Sequence, residues 1–180
     1  MKYKLTEETK EIYGRTLHRI VCVTAFASVS VGETGGWVES EKNLSQYGNA
    51  WVCGNAQVYD NAQVCDNAQV YGNARVYGDA WVYGDAKVYG YARVYGNARV
   101  YGDAKVKQTS DYIVLKNCWG SGRYFTYTSS NDKWHVGCFH GTGEELIKKA
   151  YSENELKGKC YEASVKYVQE IMRLIKEADK

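Results

Sequence analysis

A six-residue alternation of apolar and polar positions runs through the middle of the chain. Valine recurs at every sixth position from Val52 to Val106, and an alanine stands two positions before each valine. In the phrase A-x-V-Y, strand geometry puts alanine and valine on the inward face and the variable residue and tyrosine on the outward face. A Gly-Asn or Gly-Asp pair usually follows, and both residue types tolerate the positive φ of a sharp corner. Each unit is therefore predicted to be a four-residue strand and a two-residue corner.

Strands this short are stable only when they stack on copies of themselves, so the repeat predicts a solenoid. An α-helix is excluded because an apolar residue at every sixth position forms no helical stripe, and each glycine would cost about 1 kcal/mol. The phrase V-x-G-N-A-x, which spans residues 48–107, resembles the hexapeptide repeat of left-handed parallel β-helix proteins. That resemblance implies a triangular prism in which three units make one coil of about 18 residues, with coils about 4.8 Å apart.

On such a prism, residues one coil apart lie above one another, so the outward positions form ladders. The position after valine gives three ladders: Tyr59, Tyr77 and Tyr95; Cys53, Tyr71 and Tyr89; and Cys65, Tyr83 and Tyr101. The variable position gives three more: Trp51, Gln69, Lys87 and Lys105; Gln57, Arg75 and Arg93; and Gln63, Trp81 and Arg99. Positive charge gathers in the later coils. Tyr91 replaces a corner Asn or Asp, either as a tolerated substitution or as a tyrosine directed at a partner.

Both ends of the repeat are expected to carry caps, because an open solenoid exposes strand edges and core. Residues 1–47 are interpreted as an N-terminal β cap and an irregular first coil. "YKLT" and "LHRIVCVTAF" are predicted strands, with a turn at "IYGRT". Val38 and Leu44 share the six-residue phase of Ala50, which predicts that "GGWVESEKNLSQYGNA" enters the prism as that irregular coil.

Residues 108–180 are predicted to form a small module of β-β-β-α-α order, which either caps the prism or forms a separate domain. "DYIVLKN", "RYFTYTS" and "KWHVGCFH" alternate as strands, with a hairpin turn at "SSND". Thr142 and Glu145 have the spacing of a capping box at the start of a helix. The apolar face of a second helix is formed by Val165, Val168, Met172 and Ile175, with Ile171 beside it. The predicted fold class is mainly β.

Four further phrases carry a second resemblance, which covers nearly the whole chain. They are "LHRI", "GGWVE", "NLSQYGNAWV" and "GCFHGTGEEL", in that order. Their arrangement is similar to that of a family of uncharacterised proteins carried by phages and prophages of Gram-positive bacteria. The resemblance implies a viral origin and brings no established activity with it.

Composition narrows the class of protein. The 180 residues carry a net charge of +2, which argues against a nucleic-acid partner because nucleic-acid-binding proteins normally show a strong basic excess. The longest apolar run, "RIVCVTAFASVSV", is too short to span a bilayer and too far from the start for a signal peptide. No membrane partner is therefore expected, and the protein is interpreted as cytoplasmic, in the host cell if it is phage-encoded. Six cysteines could form a disulfide framework, but reduced thiols are favoured there.

Catalytic chemistry finds little support in the repeat. Many hexapeptide-repeat proteins are acyltransferases that use a histidine base between adjacent prisms. Related carbonic anhydrases bind zinc through histidines on the prism walls. Residues 48–107 of this chain contain no histidine, so neither chemistry is supported there. His18, His135 and His140 lie in the caps. Cys118 and Cys138 could join His135 and His140 in a metal cluster, but the spacing matches no known zinc motif and ordinary core roles are favoured. Cys53 and Cys65 fall on different walls and are not expected to pair.

These observations favour a non-enzymatic binding protein that uses no cofactor and forms a homo-oligomer. We hypothesise that it antagonises host defence by binding a defence protein or by sequestering an anionic nucleotide signal. The predicted contact residues are Arg75, Tyr77, Trp81, Tyr83, Tyr91, Arg93, Tyr95 and Arg99, because tyrosine beside arginine suits an anionic ring-bearing ligand or an acidic protein patch. The alternatives are an acyltransferase that uses a cap histidine, a self-assembling structural protein, and a face on which stacked tyrosines and soluble arginines have no partner.

Overall fold

A computed structural model describes residues 1–178. The chain divides into two compact units, Met1–Thr109 and Ser110–Lys180. In the first unit, β1 (Tyr3–Ile12) and β2 (Arg15–Cys22) form an antiparallel hairpin, and β3 (Thr34–Val38) and a 3₁₀ turn (Glu41–Asn43) follow. Ten two-residue strands complete it: Trp51–Val52 (β4), Gln57–Val58 (β5), Gln63–Val64 (β6), Gln69–Val70 (β7), Arg75–Val76 (β8), Trp81–Val82 (β9), Lys87–Val88 (β10), Arg93–Val94 (β11), Arg99–Val100 (β12) and Lys105–Val106 (β13).

Within residues 34–106, these strands form the three parallel walls of a solenoid. The first wall contains β3, β5, β8 and β11, the second contains β6, β9 and β12, and the third contains β4, β7, β10 and β13. Leu44 adds a bridge to Val64 on the second wall, so each wall has four levels. Regular coils pair residues 18 positions apart, for example Lys87 with Lys105. The prediction of stacked coils from the six-residue period is thus confirmed.

The core of the solenoid consists of the alanines and valines of the repeat. Every one of them from Ala50 to Val106 is at most 1% exposed. Strand pairing is shorter than predicted, because only the variable residue and the valine are paired as strand in each unit. Coil-to-coil hydrogen bonds nevertheless continue beyond the strands, as in Cys53 N–H to Val70 O (2.9 Å) and Asn55 N–H to Gly72 O (2.9 Å). Several corners therefore stack through the backbone as the walls do.

The corners show why Asp replaces Gly at two positions. Asp60 and Asp66 adopt φ of 60° and 59°, in the left-handed region that most L-residues avoid. Each carboxylate accepts a hydrogen bond from a backbone N–H one coil later, Gly78 N at 3.0 Å and Gly84 N at 3.1 Å. The side chain thus provides a coil-to-coil contact that glycine lacks.

The first coil is irregular, and its phase differs from the one that the six-residue period predicted. Val38 pairs with Val58 and Leu44 bridges to Val64, so both residues stack on valines rather than keeping the phase of Ala50. These pairs are 20 residues apart, whereas Trp51 and Gln69 have the regular spacing of 18. The chain between Leu44 and Val52 is two residues longer than a regular unit, and extrapolation of the period across it gave the wrong phase.

The hairpin β1–β2 covers outward positions that the alternation predicted to be exposed. β2 pairs antiparallel with β3 and extends the first wall beyond the first coil. Tyr59 is 5% exposed because it packs with Leu17 and Trp37. Trp51 is 4% exposed, with edge-on ring contacts to Tyr3 and Phe26. Strand period alone could not foresee these contacts, because they come from a segment outside the repeat.

The second unit has one strand more than predicted in its described part. Its strands are Tyr112–Lys116 (β14), Tyr124–Thr128 (β15), Lys133–Val136 (β16) and Phe139–Gly141 (β17), which form one antiparallel sheet in chain order. A 3₁₀ turn, Thr109–Asp111, precedes β14. "KWHVGCFH" was predicted as a single strand, but Gly137 has φ of 59° and turns the chain back into a hairpin.

Two helices follow in the described chain, α1 (Gly143–Glu153) and α2 (Glu155–Ala178). The predicted capping box is confirmed: Thr142 N–H donates to the Glu145 carboxylate (2.7 Å), and Glu145 N–H donates to the Thr142 hydroxyl (3.2 Å). The predicted apolar face of α2 is buried against Phe125 and Trp134 of the sheet. Within residues 1–178, no helix is both long and apolar enough to cross a membrane.

Candidate binding surface

The first wall carries the most regular aromatic feature of the solenoid. The rings of Tyr59 and Tyr77 are stacked with centroids 5.1 Å apart, and those of Tyr77 and Tyr95 follow at 5.4 Å. The in-register pairing of β5, β8 and β11 dictates this stack, because it puts the residue after each valine directly above its counterpart. Exposure increases along the ladder, from buried Tyr59 to Tyr95, which is 46% exposed. The ladder is therefore open to solvent at its later end.

Arginines flank this ladder on the same wall. Arg75 and Arg93 are direct neighbours in the parallel pair β8–β11. The hairpin β1–β2 adds Tyr13, which is 80% exposed and whose hydroxyl accepts a hydrogen bond from Arg75 Nη1 at 3.4 Å. Tyr13 and Gly14 form the hairpin turn with φ of 50° and 75°. We call Tyr13, Arg75, Tyr77, Arg93 and Tyr95 the Tyr/Arg wall.

Burial keeps the Tyr77 phenol of the Tyr/Arg wall neutral near pH 7. Burial raises the pKa of Tyr77, and the neighbouring phenol of Tyr95 raises it further, against the opposite effect of Arg93 and Arg75. A neutral phenol can both donate and accept a hydrogen bond. The wall thus offers aromatic faces, hydroxyl groups and guanidinium groups, and this combination suits carboxylates and other anions.

A second group of predicted residues lies on the second wall. The Arg99 guanidinium lies 4.6 Å from the centroid of the Trp81 ring, and Trp81 contacts Tyr83 edge-on at 6.2 Å. Burial raises the pKa of Tyr83 to about 12, although Arg99 acts in the opposite direction by charge and by a hydrogen bond. Arg99 is therefore engaged by its own neighbours, which fits a packing role for this group.

The predicted contact residues accordingly do not form one surface. Arg75, Tyr77, Arg93 and Tyr95 share the first wall, whereas Trp81, Tyr83 and Arg99 share the second. Tyr91 lies at the corner before β11 and is 81% exposed. The same corner holds Asn55 and Asn73 in earlier coils, whose side-chain amides are hydrogen-bonded at 3.4 Å, and a tyrosine ring cannot continue that amide ladder. Tyr13 was missed by sequence reasoning, because no repeat period links it to the wall.

The three cap histidines lie on strands, whereas of the cap cysteines only Cys22 does. His18 Nδ1 is 3.3 Å from Thr6 O within the β1–β2 hairpin. His135 and His140 are partners across β16 and β17, with ring centroids 6.5 Å apart. Among residues 1–178, no group of three or more His, Cys, Asp or Glu side chains could hold a metal ion. The six cysteines, all in the described chain, are free.

Comparison with known families agrees with this architecture. A family model described as the YdcK beta solenoid repeat matches residues 68–84 and 92–108. This is a β-solenoid repeat protein. The matched segments of the β-solenoid contain Arg75, Tyr77, Arg93 and Tyr95 but not Tyr13. A search of the curated proteins found no match.

Proposed function

We propose that this β-solenoid is a non-enzymatic binding protein that recognises an acidic surface of a partner protein through the Tyr/Arg wall. The observation that carries the proposal is the adjacent pair Arg75 and Arg93 beside the open end of a stacked tyrosine ladder. Tyrosine and arginine are enriched at the energetic centres of protein interfaces. Backbone pairing fixes the wall in advance, so little conformational entropy is lost on binding.

The shape of the wall favours a protein over a small molecule. Small-molecule sites are usually concave and enclose most of the ligand. Apart from Tyr13, the residues of the Tyr/Arg wall lie on the outer face of parallel strands, which suits a broad contact of modest depth. An anionic nucleotide signal is the second ligand class, because a ring could stack on Tyr95 while Arg93 binds the phosphate.

The resemblance to phage-borne proteins supports a partner in the bacterial host. A phage protein that binds without catalysis can act by occupying the surface of a defence protein. We therefore propose a defence protein of a Gram-positive host as the target, engaged in the cytoplasm of the infected cell.

Two matched charge reversals test this proposal. The variant Arg75→Glu/Arg93→Glu reverses charge on the first wall, and the control Lys87→Glu/Lys105→Glu makes the same change in net charge on the third wall, where both lysines are exposed and in register. Tagged proteins are compared by quantitative affinity capture from host lysate, and by phage plaque counts on strains that carry individual defence systems. We expect Arg75→Glu/Arg93→Glu, but not the control, to lose the captured partner and to stop protecting the phage against the defence system.

Further measurements distinguish the other classes. If wild type captured a nucleotide and no protein, and Arg75→Glu/Arg93→Glu lost that nucleotide, the result would favour the signal-sequestering function. Equal behaviour of both charge reversals would contradict a role for the Tyr/Arg wall. Turnover of an acyl-CoA donor that depends on His18, His135 or His140 would make the protein an enzyme. Concentration-dependent assembly in light scattering, with no captured partner, would favour a structural role.

A further inference from the structure

A cleft of about 270 Å³ lies over the third wall, away from the Tyr/Arg wall. The segment between β2 and β3 forms its outer side, and the solenoid forms its floor. The lining residues are Ala27, Ser28, Val29, Glu33, Asn49, Trp51, Cys53, Gln69 and Tyr71. We call it the Trp51 cleft. Its volume suits a ligand of few atoms rather than a drug-sized molecule.

Hydrogen bonds fix the outer side of the Trp51 cleft in place. Phe26 and Val29 exchange backbone hydrogen bonds of 3.1 and 2.8 Å, which closes a tight two-residue turn at Ala27 and Ser28. Ala27 has φ of 44°, a left-handed conformation that is unfavourable for alanine. Val29 anchors this turn and is 8% exposed. The cleft is therefore built before any ligand arrives, and backbone strain is concentrated at its rim.

The floor of the Trp51 cleft presents two fixed aromatic side chains. Trp51 is held edge-on by Phe26 and Tyr3, with ring centroids 5.5 and 6.4 Å away. Tyr71 is stacked on Tyr89 at 5.1 Å. Trp51 is 4% exposed and closes the bottom of the cleft, whereas the half-buried Tyr71 offers its ring to a ligand. Aromatic faces attract ammonium groups through the ring quadrupole.

The formal charge within the lining of the Trp51 cleft is negative. Of the nine described residues that line it, Glu33 is the one with a formal charge. Its carboxylate accepts a hydrogen bond from Ser30 N–H at 3.1 Å, and a carboxylate has capacity for more. Burial raises the pKa of the Cys53 thiol, so that side chain stays neutral. The nearby lysines lie outside the lining: Lys2 is bound to Ala50 O (2.7 Å), and Lys87 is one coil beyond Gln69.

We propose that the Trp51 cleft binds a small organic cation, with its ammonium group beside Glu33 and its apolar body against Trp51 and Tyr71. A carboxylate combined with fixed aromatic rings is the arrangement that recognises substituted ammonium groups. Either a free small molecule or a methylated lysine side chain of a polypeptide offers this chemistry. The site is independent of the proposed function, because it lies on a different wall.

The test titrates the intact, ¹⁵N-labelled protein with benzyltrimethylammonium at constant ionic strength and follows the indole and amide resonances by NMR. Benzyl alcohol and benzoate serve as neutral and anionic probes of similar size. We expect saturable shifts of the Trp51 indole and the Gln69 and Tyr71 amides, with the cation bound at least about fivefold more tightly than benzyl alcohol. Glu33→Gln should remove this preference, and Glu7→Gln, which removes an exposed carboxylate of β1, should retain it.

The spectra of both variants also report folding, so a misfolded Glu33→Gln protein would be recognised. In that case Glu33→Asp, which keeps the charge but shortens its reach, replaces it and should weaken binding of the cation. A second arm uses Nα-acetyl-trimethyllysine methylamide: binding as tight as that of the free cation indicates a polypeptide side chain, and weaker binding indicates a small molecule. Equal affinity for benzyl alcohol and the cation, or unchanged preference in Glu33→Gln, would overturn the proposal.

Discussion

Individual residues at the corners of the solenoid solve a conformational problem in two ways. Most units use glycine to reach a positive φ, whereas Asp60 and Asp66 reach the same region with a side chain. Their carboxylates accept backbone N–H groups of the next coil, so an unfavourable backbone conformation is offset by a hydrogen bond. Asp60 also forms a salt bridge with Arg15 of β2, whereas Asp66 is exposed. Asp66 is therefore the better position at which to separate the cost of the left-handed backbone from the stabilisation by the carboxylate hydrogen bond.

We expect Asp66→Ala to lower the free energy of unfolding by about 2 kcal/mol, because it keeps the left-handed strain and loses the hydrogen bond to Gly84 N. Asp66→Gly loses the same hydrogen bond but removes the strain, and should cost about 1 kcal/mol or less. Urea denaturation of both variants measures the difference. Equal stability of the alanine and glycine variants would show that the left-handed φ carries no cost at this corner.

A buried lysine predicts a pH dependence. Lys2 is 6% exposed, and burial lowers its pKa from 10.5 to about 8, against an opposing effect of Cys22. Between about pH 8 and 10.5 the unfolded chain binds more protons at this residue than the folded chain does, so the contribution of Lys2 to stability rises with pH across that window.

The prediction is checked by thermal unfolding of wild type and Lys2→Met over this pH range. The stability of wild type relative to the variant should increase from pH 8 to 10.5, with tyrosine ionisation common to both proteins. Lys4→Met, which removes an exposed lysine of β1 two residues further along the chain, is the control and should run parallel to wild type. A pH-independent difference for Lys2→Met would mean that Lys2 keeps an ordinary pKa in the folded protein.

At the scale of elements, the two helices depend on one close contact. Gly158 is buried on α2, and a Cβ atom placed there would lie 2.3 Å from ring atoms of Tyr151 on α1. The Tyr151 hydroxyl also donates a hydrogen bond to Glu162 (2.7 Å), which fixes the ring over the glycine. Asn154 separates the helices, and its side-chain oxygen accepts the N–H groups of Leu156 and Lys157. The tight turn and the glycine together set the spacing of the pair.

Gly158→Ala should therefore destabilise the protein by about 1–3 kcal/mol, although alanine is the better helix former by about 1 kcal/mol. Removal of the ring should reverse the sign, so Gly158→Ala is expected to be stabilising in a Tyr151→Ala background. Differential scanning calorimetry of the four proteins in this cycle gives the coupling between the two positions. Additive effects would contradict the contact.

Element by element, the sequence predicted the interior of the solenoid better than its coverings. Strand alternation and an unbroken period were sufficient to place every alanine and valine of the repeat in the core. The phase predicted for Val38 and Leu44 was wrong because the six-residue period, extrapolated from the repeat, does not include the two additional residues before Val52. Tyr13 and the Trp51 cleft were missed because they depend on how a non-repetitive hairpin and loop pack on the walls. Gly137 was predicted to be a strand residue because a glycine has no side chain that could show a break in the alternation of inward and outward positions.

For the whole molecule, the 18-residue register predicts which deletions the fold tolerates. Removal of residues 72–89 joins Tyr71 to Gly90 and deletes one complete coil without a change of phase. Removal of residues 72–88 leaves one additional residue, which turns the following inward side chains outward. We expect the first variant to retain a cooperative thermal transition and a β-type circular dichroism spectrum, and the second to lose both. Similar behaviour of the two deletions would contradict the stacking.

The walls, where every coil of the repeat is hydrogen-bonded to the next in the same register, have a consequence for inheritance. Along its walls each interior coil offers its neighbour the same backbone donors and acceptors, so duplication or loss of an 18-residue segment leaves every other coil in an acceptable environment. Unequal exchange within the gene can therefore lengthen or shorten the solenoid in whole coils. The first coil does not share this freedom, because its 20-residue offset fits only the hairpin and loop that cover it. Changes in length are thus confined to the interior coils, while the solenoid keeps one hairpin and one loop over its first coil.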